Sequence, residues 1–253
     1  TSGAASATPT GPEPSPTGPA TPAGPSPLPT QPITFPGPEG VTLQGAWAQA
    51  EEPKGAVLVI HENRGLNDHT RSVAGRLAAS GYSSLALDLL SREGGTDAFA
   101  DTAQVTAKLG EIAPERFVAD MKAAVSELAE RAEGAKLGMV GFCFGGGMTW
   151  LLLSSGEPRL SAASPFYGPF PEGAGLSGSR AAVLAVYAGL DDRVNATRPV
   201  AGAALKKAGL THEIVTYLGA QHAFFNETGP RYDAQAAAQA YDKLLDWFGR
   251  YLA

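Results

Sequence analysis

Short apolar runs alternate with amphipathic stretches along most of the chain. Residues 55–60, GAVLVI, are continuously apolar and bounded by turn residues, as expected for a strand buried on both faces of a sheet. Residues 82–87 form a second strand-sized run, and a helix is predicted between the two, over residues 70–79, closed by Gly81. Strand and helix that alternate in this way predict a parallel sheet.

The same alternation continues to the C-terminus. A helix is predicted to begin at Pro114, because apolar side chains recur behind it at spacings of three and four. Further strands are predicted over residues 41–48, 135–141, 160–167, 181–188 and 213–217, and further helices over residues 146–153, 195–208 and 241–252. The predicted fold is therefore α/β, with a mostly parallel central sheet, helices on both faces and functional side chains at the carboxyl ends of the strands.

The first 32 residues break this pattern. They consist almost entirely of Thr, Pro, Ala, Gly and Ser, and twelve of the twenty prolines lie between Pro9 and Pro38. This composition offers too little apolar area to offset the entropy lost on ordering. We therefore predict a disordered linker over residues 1–32 that makes little buried contact, followed by one globular domain over residues 33–253.

The predicted linker also bears on where the protein works. The chain begins at Thr1, and our preferred interpretation is a spacer behind a secretory or lipoprotein signal. The domain would then be extracytoplasmic: secreted, periplasmic or tethered by a lipid or signal-derived anchor upstream of residue 1. An intracellular extension of a cytoplasmic protein and a peptide ligand for a proline-binding module are the alternatives.

Composition and charge exclude several classes of protein. A single cysteine rules out an internal disulfide scaffold, and no apolar stretch approaches the roughly eighteen residues of a membrane span. The net charge of −6, without a basic run, argues against nucleic acid as a partner. We expect a monomer that acts on a small molecule.

The strongest chemical signal is GFCFG, residues 141–145, between a predicted strand and a predicted helix. It matches the G-x-S-x-G nucleophile elbow with Cys143 in the place of serine. The N-terminus of the helix favours a thiolate over a thiol, and the backbone N–H of Phe144 points to where an oxyanion would form. The alternative is a buried structural cysteine beside a glycine-rich turn.

An acid and a histidine follow at the ends of two later strands. Asp191 and Asp192 lie in GLDDRV, and His222 lies in QHAFFN. Nucleophile, acid and histidine in this chain order are typical of an α/β-hydrolase triad. We assign the acid to Asp191 because it comes first in its loop; a solvated loop histidine is the alternative for His222.

The other three histidines lack such a context. His69 and His212 are predicted to be solvated, whereas His61, at the end of a buried strand, is predicted to pack beside the site. Without further information, the adjacent Glu62 has two open interpretations: it caps the region of Thr70, or it pairs with Arg64.

Taken together, these motifs resemble the dienelactone hydrolase (carboxymethylenebutenolidase) family of α/β-hydrolases. The resemblance rests on GFCFGGG around Cys143, Glu62 after the first long strand, GLDDRV and QHAFFN, and it spans residues 33–253. It implies a carboxylic ester hydrolase that cleaves an ester or lactone through a Cys143–His222–Asp191 triad and a thioester intermediate, without a metal or organic cofactor. A non-catalytic ligand-binding member of the fold and a thiol-based redox protein are the alternatives.

The resemblance also implies roles for two residues that follow the first long strand. In that family the glutamate at the position of Glu62 holds the resting thiol away from the histidine until substrate displaces the carboxylate. The backbone N–H of Asn63 would be the second oxyanion donor.

The chain departs from the family where the carboxylate of the substrate binds. Family members that act on dienelactone use two arginines; Arg92 matches the first, but Asn226 stands at the second. A neutral amide cannot replace a bidentate arginine without loss of charge and geometry. We therefore expect neutral esters to be better substrates than anionic lactones, with Phe224 beside His222 offering apolar surface. An exposed loop arginine is the alternative for Arg92.

Overall fold

The computed structural model describes residues 20–253, so residues 1–19 of the predicted linker lie outside the described part. Within it, one sheet contains eight strands. They are β1 (Gln31–Pro36), β2 (Thr42–Ala48), β3 (Gly55–Ile60), β4 (Tyr82–Leu87), β5 (Leu137–Phe142), β6 (Leu160–Phe166), β7 (Ala182–Ala188) and β8 (His212–Tyr217).

The sheet has the strand order β1-β2-β4-β3-β5-β6-β7-β8. Strand β2 is antiparallel to both of its neighbours, and every pair from β4 to β8 is parallel. Parallel neighbours need crossover connections, which place helices on the faces of the sheet and bring the carboxyl ends of the strands to one edge. The predicted α/β fold with a mostly parallel sheet is confirmed.

The described residues contain seven α-helices, of which the first six lie between strands and the last follows β8. They are α1 (Asp68–Ala79), α2 (Thr102–Glu111), α3 (Pro114–Arg131), α4 (Phe144–Ser154), α5 (Asp192–Asn195), α6 (Arg198–Lys207) and α7 (Ala234–Tyr251). Asparagine or aspartate caps begin several of them; at α1, Oδ1 of Asn67 accepts a hydrogen bond from the N–H of Thr70. None of these helices has both the length and the apolar sequence needed to cross a membrane.

Side chains of the central strands alternate between two apolar layers. In β3, Leu58 and Ile60 belong to the layer that contains side chains of α3, α4 and α6, whereas Val57 and Val59 belong to the layer that contains side chains of α1 and α7. Because both faces are covered, the central strands are buried along nearly their whole length, which is why their sequence runs are mostly apolar rather than alternating.

Strand β1 and helix α2 are among the elements absent from the sequence-based prediction. Strand β1 contains Pro32 and Pro36, which are tolerated because β1 pairs on one side only, with β2. Helix α2 buries only Val105 and Leu109, so its apolar stripe is too sparse to recognise.

Within the described part, residues 20–32 of the predicted linker contact the folded domain. Ala23 is only 4% exposed and belongs to the apolar layer beneath α1 and α7. The N–H of Leu28 donates to the carbonyl oxygen of Gly75 at 3.0 Å, and β1 already begins at Gln31. Composition did not reveal this packing because it depends on one small side chain and on backbone hydrogen bonds rather than on apolar area.

Candidate active site

Cys143 forms the turn between β5 and α4. Its backbone has φ 57 and ψ −114, a region that a residue with a side chain occupies only under constraint. The flanking glycines make the turn possible: a Cβ on Gly141 would overlap the carbonyl of Gly145, and a Cβ on Gly145 would overlap the carbonyl of Ile60. This strained turn presents the thiol at the carboxyl edge of the sheet, as the elbow motif predicts.

Three side chains from separate strand ends meet at this edge. Sγ of Cys143 lies 3.0 Å from Nε2 of His222, and Nδ1 of His222 lies 2.5 Å from Oδ2 of Asp191. The other oxygen of Asp191 accepts a hydrogen bond from the N–H of Val194, which begins α5 and fixes the carboxylate. The structure therefore brings together the three side chains that the sequence predicts as nucleophile, base and acid, and it places Asp191 rather than Asp192 against His222.

The hydrogen bonds that join Cys143, His222 and Asp191 favour the protonated form of His222. Burial alone would lower the pKa of His222, but hydrogen bonds to Asp191 and Cys143 raise it to about 9. Burial would also raise the pKa of Asp191, but its hydrogen bond with His222 brings that pKa below the ordinary value. A pKa raised in this way favours an imidazolium at neutral pH, with its two ring nitrogens facing a carboxylate and a sulfur.

Two backbone N–H groups are candidates for an oxyanion hole. Phe144 is the first residue of α4, where the N–H groups have no partner within the helix. Asn63 follows β3 and lines the same cavity as Cys143. The carbonyl oxygen of Asn63 accepts a hydrogen bond from the hydroxyl of Thr106 at 2.8 Å, so α2 helps to hold this loop.

Glu62 is held by Asn226 rather than by the thiol. Nδ2 of Asn226 donates to Oε2 of Glu62 at 3.0 Å, and the side-chain oxygen of Asn226 accepts from the N–H and the hydroxyl of Thr228. The amide orientation is therefore fixed. The expected resting state, with Cys143 turned from His222 toward Glu62, is not the arrangement in this structure. Asn226, which we expected to bind substrate, lines the cavity but acts on Glu62.

Two further residues expected to bind substrate lie elsewhere. The guanidinium of Arg92 binds both carboxylate oxygens of Asp120, with its shortest contact 2.6 Å, and also reaches Glu39. Phe224 is fully buried and packs edge-on against Tyr167. Neither residue lines the cavity beside Cys143. Their partners come from distant parts of the chain, which local motifs cannot show.

A cavity of about 560 Å³ opens beside the thiol. Its wall includes small residues of α2 and two arginines, Arg64 and Arg231, that are exposed and form no salt bridge within the described residues. The sequence offers Arg64 only as a partner for Glu62 and gives no signal for Arg231. The lining residues are Glu62, Asn63, Arg64, Thr102, Ala103, Thr106, Ala107, Cys143, His222, Ala223, Asn226, Gly229, Pro230 and Arg231.

The remaining histidines are structural. The ring of His61 lies between the carbonyl of Glu62 and the N–H of Leu89, as its predicted packing role requires. The prediction of a solvated ring is wrong for His69, which is buried with Nδ1 2.9 Å from Glu227. Within residues 20–253, no group of three His, Cys, Asp or Glu side chains is placed to hold a metal ion.

A mostly parallel sheet, with a strained cysteine turn and with aspartate and histidine at later strand ends, defines an α/β-hydrolase. The sequence profile of the Dienelactone hydrolase family matches residues 43–252, so the chain belongs to that family. The family is one of carboxylic ester hydrolases, and the protein is an enzyme of this class.

Curated relatives and solved structures agree with this assignment. A candidate carboxymethylenebutenolidase from Escherichia coli O157:H7 is 32% identical over 216 residues, which cover 80% of this chain and 79% of the relative. The crystal structure of a candidate dienelactone hydrolase from Klebsiella pneumoniae has a TM-score of 0.75 and 26% identity, covering 88% of this chain and 100% of that one. The crystal structure of a dienelactone hydrolase-like promiscuous phosphotriesterase from metagenomic libraries has a TM-score of 0.72 and 26% identity, and the match covers 88% of this chain and 99% of that one.

The position of Arg92 gives a first prediction. Arg92→Ala should lower the free energy of unfolding by about 1–3 kcal/mol, because it leaves the buried carboxylate of Asp120 without its main partner. The KM for an ester substrate should not change. Thermal denaturation and steady-state kinetics measure the two effects. A raised KM for an anionic substrate, with an unchanged free energy of unfolding, would show that Arg92 binds the substrate.

Proposed function

We propose that this protein hydrolyses a carboxylic ester or lactone through a thioester formed on Cys143. The observation that carries the proposal is the row of contacts from the thiol through His222 to Asp191, at the mouth of the cavity. Each group has the neighbour that its role requires: a nucleophile beside a base, and a base oriented by an acid.

The first half of the reaction transfers the acyl group to the enzyme. Sγ of Cys143 attacks the carbonyl carbon, and the electron pair of the C=O bond moves to the oxygen, where the N–H groups of Phe144 and Asn63 receive it. When the carbonyl re-forms, the C–O bond to the alcohol breaks. The leaving oxygen takes the proton from Nε2 of His222, which leaves a thioester and a neutral imidazole.

The second half releases the acid. Neutral His222 takes a proton from water, whose oxygen attacks the thioester carbonyl, and the same backbone groups stabilise the second oxyanion. Collapse of this intermediate expels the sulfur of Cys143 as a thiolate. His222 is again an imidazolium, held by Asp191, and the site returns to the arrangement seen in the structure.

The contact between Glu62 and Asn226 supports a nucleophile that is ready before substrate binds. Asn226 occupies Oε2 of Glu62, and the sulfur of Cys143 faces His222 rather than this carboxylate. No negative charge on the substrate is needed to displace Glu62. Neutral esters are therefore substrates of the proposed enzyme.

Arg64 and Arg231 add a site for negative charge at the same cavity. The expectation that anionic lactones bind poorly depended on Arg92 and Asn226, and both are engaged elsewhere. Two exposed guanidinium groups without carboxylate partners can bind a substrate carboxylate instead. We therefore replace the expected preference for neutral esters by acceptance of both classes, with the arginines acting on the anionic one.

The thioester mechanism is tested at the nucleophile. Cys143→Ala should lower kcat for an activated aryl ester by roughly 10⁴-fold or more without unfolding the protein, because no other group can form the acyl intermediate. Cys143→Ser should remain weak, since a hydroxyl ionises far less readily than a thiol. Because the chain has a single cysteine, mass spectrometry of the intact protein during turnover should show one acyl adduct. Turnover of the alanine variant at the wild-type rate would refute the mechanism.

The protonation state of His222 predicts the pH dependence. We expect kcat/KM to fall as the pH rises through about 9, because the leaving oxygen then loses its proton donor. The raised pKa also contributes stability, which is complete below the ordinary pKa of 6.5 and is lost as the pH rises through about 9. Asp191→Asn replaces the carboxylate that raises the pKa of His222 by a neutral amide, so it should move the fall in kcat/KM to lower pH. An unmoved profile would exclude Asp191 as the partner.

The two arginines are tested by comparing substrates that differ in charge. Arg64→Gln and Arg231→Gln should each raise KM for a carboxylate-bearing lactone by about two- to five-fold, the range of an exposed ion pair of roughly 0.5–1 kcal/mol. KM for a neutral ester with a comparable leaving group should stay the same. Arg180→Gln, another exposed arginine outside the cavity, is the matched control. An equal change in KM for both substrates would show that the arginines do not recognise the charge of the substrate.

A further inference from the structure

Residues 20–30, which we call the strap, contact two separate elements near the candidate site. On α1, Nη1 of Arg76 donates to the carbonyl oxygen of Ala23 at 2.5 Å, and the strap is also bonded to Gly75. On the loop that follows His222, the hydroxyl of Tyr232 donates to the carbonyl oxygen of Thr21 at 2.6 Å. The strap therefore connects α1 to the loop that carries the proposed base.

The path of the strap is specific rather than a loose contact. Gly24 has φ +90, a conformation that favours glycine, and a Cβ at this position would lie 2.6 Å from the ring of Tyr241. Ala23, beside it, is buried in the apolar layer shared by α1 and α7. The strap thus follows one defined course across the domain.

Arg76 is the buried link between the strap and the loop. Its side chain is fully buried, with Nη2 3.6 Å from a carboxylate oxygen of Glu227 and its guanidinium over the ring of Phe225. A buried cation is costly unless charge and hydrogen bonds compensate it. Glu227 supplies the charge and also binds His69, and Ala23 supplies a carbonyl. Without the strap, Arg76 loses this hydrogen-bond acceptor.

Glu227 lies within the loop that builds the site. It directly follows Asn226, whose amide holds Glu62, and it lies five residues after His222. The far end of the same loop is bound by the strap itself, through Tyr232. Contacts that depend on the strap therefore hold this loop at two points, both outside the cavity beside Cys143.

We propose that the strap is a positioning element of the active site: through Tyr232 directly, and through Arg76 and Glu227, it fixes the loop that places His222 and Asn226. The proposal rests on the proposed function of Cys143 and His222. The strap touches no reacting atom, so its effect on catalysis is indirect. A strap that only stabilised the fold would change the melting temperature but neither kcat nor the pH profile of the folded enzyme.

The test compares a chain that begins at Ala20 with one that begins at Gln31, at a temperature where both are folded. Loss of the strap should lower kcat for a neutral aryl ester by about ten-fold or more, since small displacements of catalytic groups are costly. It should also move the fall in kcat/KM from about pH 9 to lower pH, because a displaced His222 loses the contacts that raise its pKa. Equal kcat and equal pH profiles in the two chains, with a difference only in melting temperature, would overturn the proposal.

A single-atom variant covers the case in which the shorter chain fails to fold. Tyr232→Phe removes only the hydroxyl bonded to Thr21 and should lower kcat by roughly two- to ten-fold, the range of one hydrogen bond, with the same direction of pH shift. Tyr251→Phe, at the end of α7 and outside the cavity, is the matched control. It should leave kcat and the pH profile unchanged. If Tyr232→Phe also behaves as wild type, the strap has no positioning role.

A second measurement separates this proposal from the proposed function. The rate of alkylation of Cys143 by iodoacetamide, followed against pH, reports its contact with His222 without requiring turnover. If the chain that begins at Ala20 shows no ester hydrolysis dependent on Cys143, the proposed function fails. The alkylation rate still tests the strap in that case, because removal of the strap should shift the pH profile of Cys143 alkylation. An unshifted profile would refute the positioning role of the strap.

Discussion

The backbone of Cys143 holds φ 57 and ψ −114, and the candidate site depends on this turn because it brings the thiol to the strand ends that carry His222 and Asp191. Such a conformation costs of the order of 1–3 kcal/mol and persists only where its surroundings impose it. Here β5 enters the turn from the centre of the sheet, α4 leaves it, and Gly141 and Gly145 allow their backbones to approach closely. The packed sheet thus maintains the strain that presents the thiol.

The two carboxylates near the thiol have different partners, and this difference sets the charge of the site. Asp191 binds His222 and, with Cys143, keeps the imidazole protonated, whereas Glu62 is held by Asn226. The charges of Glu62 and Cys143 add to burial in raising the pKa of Tyr167, so this buried phenol stays neutral beside them. Tyr167 is therefore not a competing proton donor when a proton moves at Nε2 of His222.

The sequence predicts well those features that depend on neighbouring residues. The central strands, the turn at Cys143 and the strand-end positions of Asp191 and His222 follow from local patterns, and the structure brings these three side chains together. Predictions that required knowledge of distant partners were less successful. Arg92 binds Asp120 of α3. Residues 20–30 are held against the domain by contacts such as the hydrogen bond from Arg76 of α1 to Ala23. Hydrogen bonds and ion pairs between remote segments leave no periodic trace in the sequence.

The amide at position 226 separates two properties that an arginine there would combine. An arginine brings both a donor for Glu62 and a positive charge for the substrate, so activation of the thiol and recognition of an anion would compete for one group. Asn226 supplies the donor without the charge, and the positive charge stands instead on Arg64 and Arg231 in the wall of the cavity. In the proposed mechanism, the readiness of Cys143 then depends on Glu62 and Asn226, whereas the charge preference for the substrate depends on Arg64 and Arg231 in the same cavity wall, and each pair can change without the other.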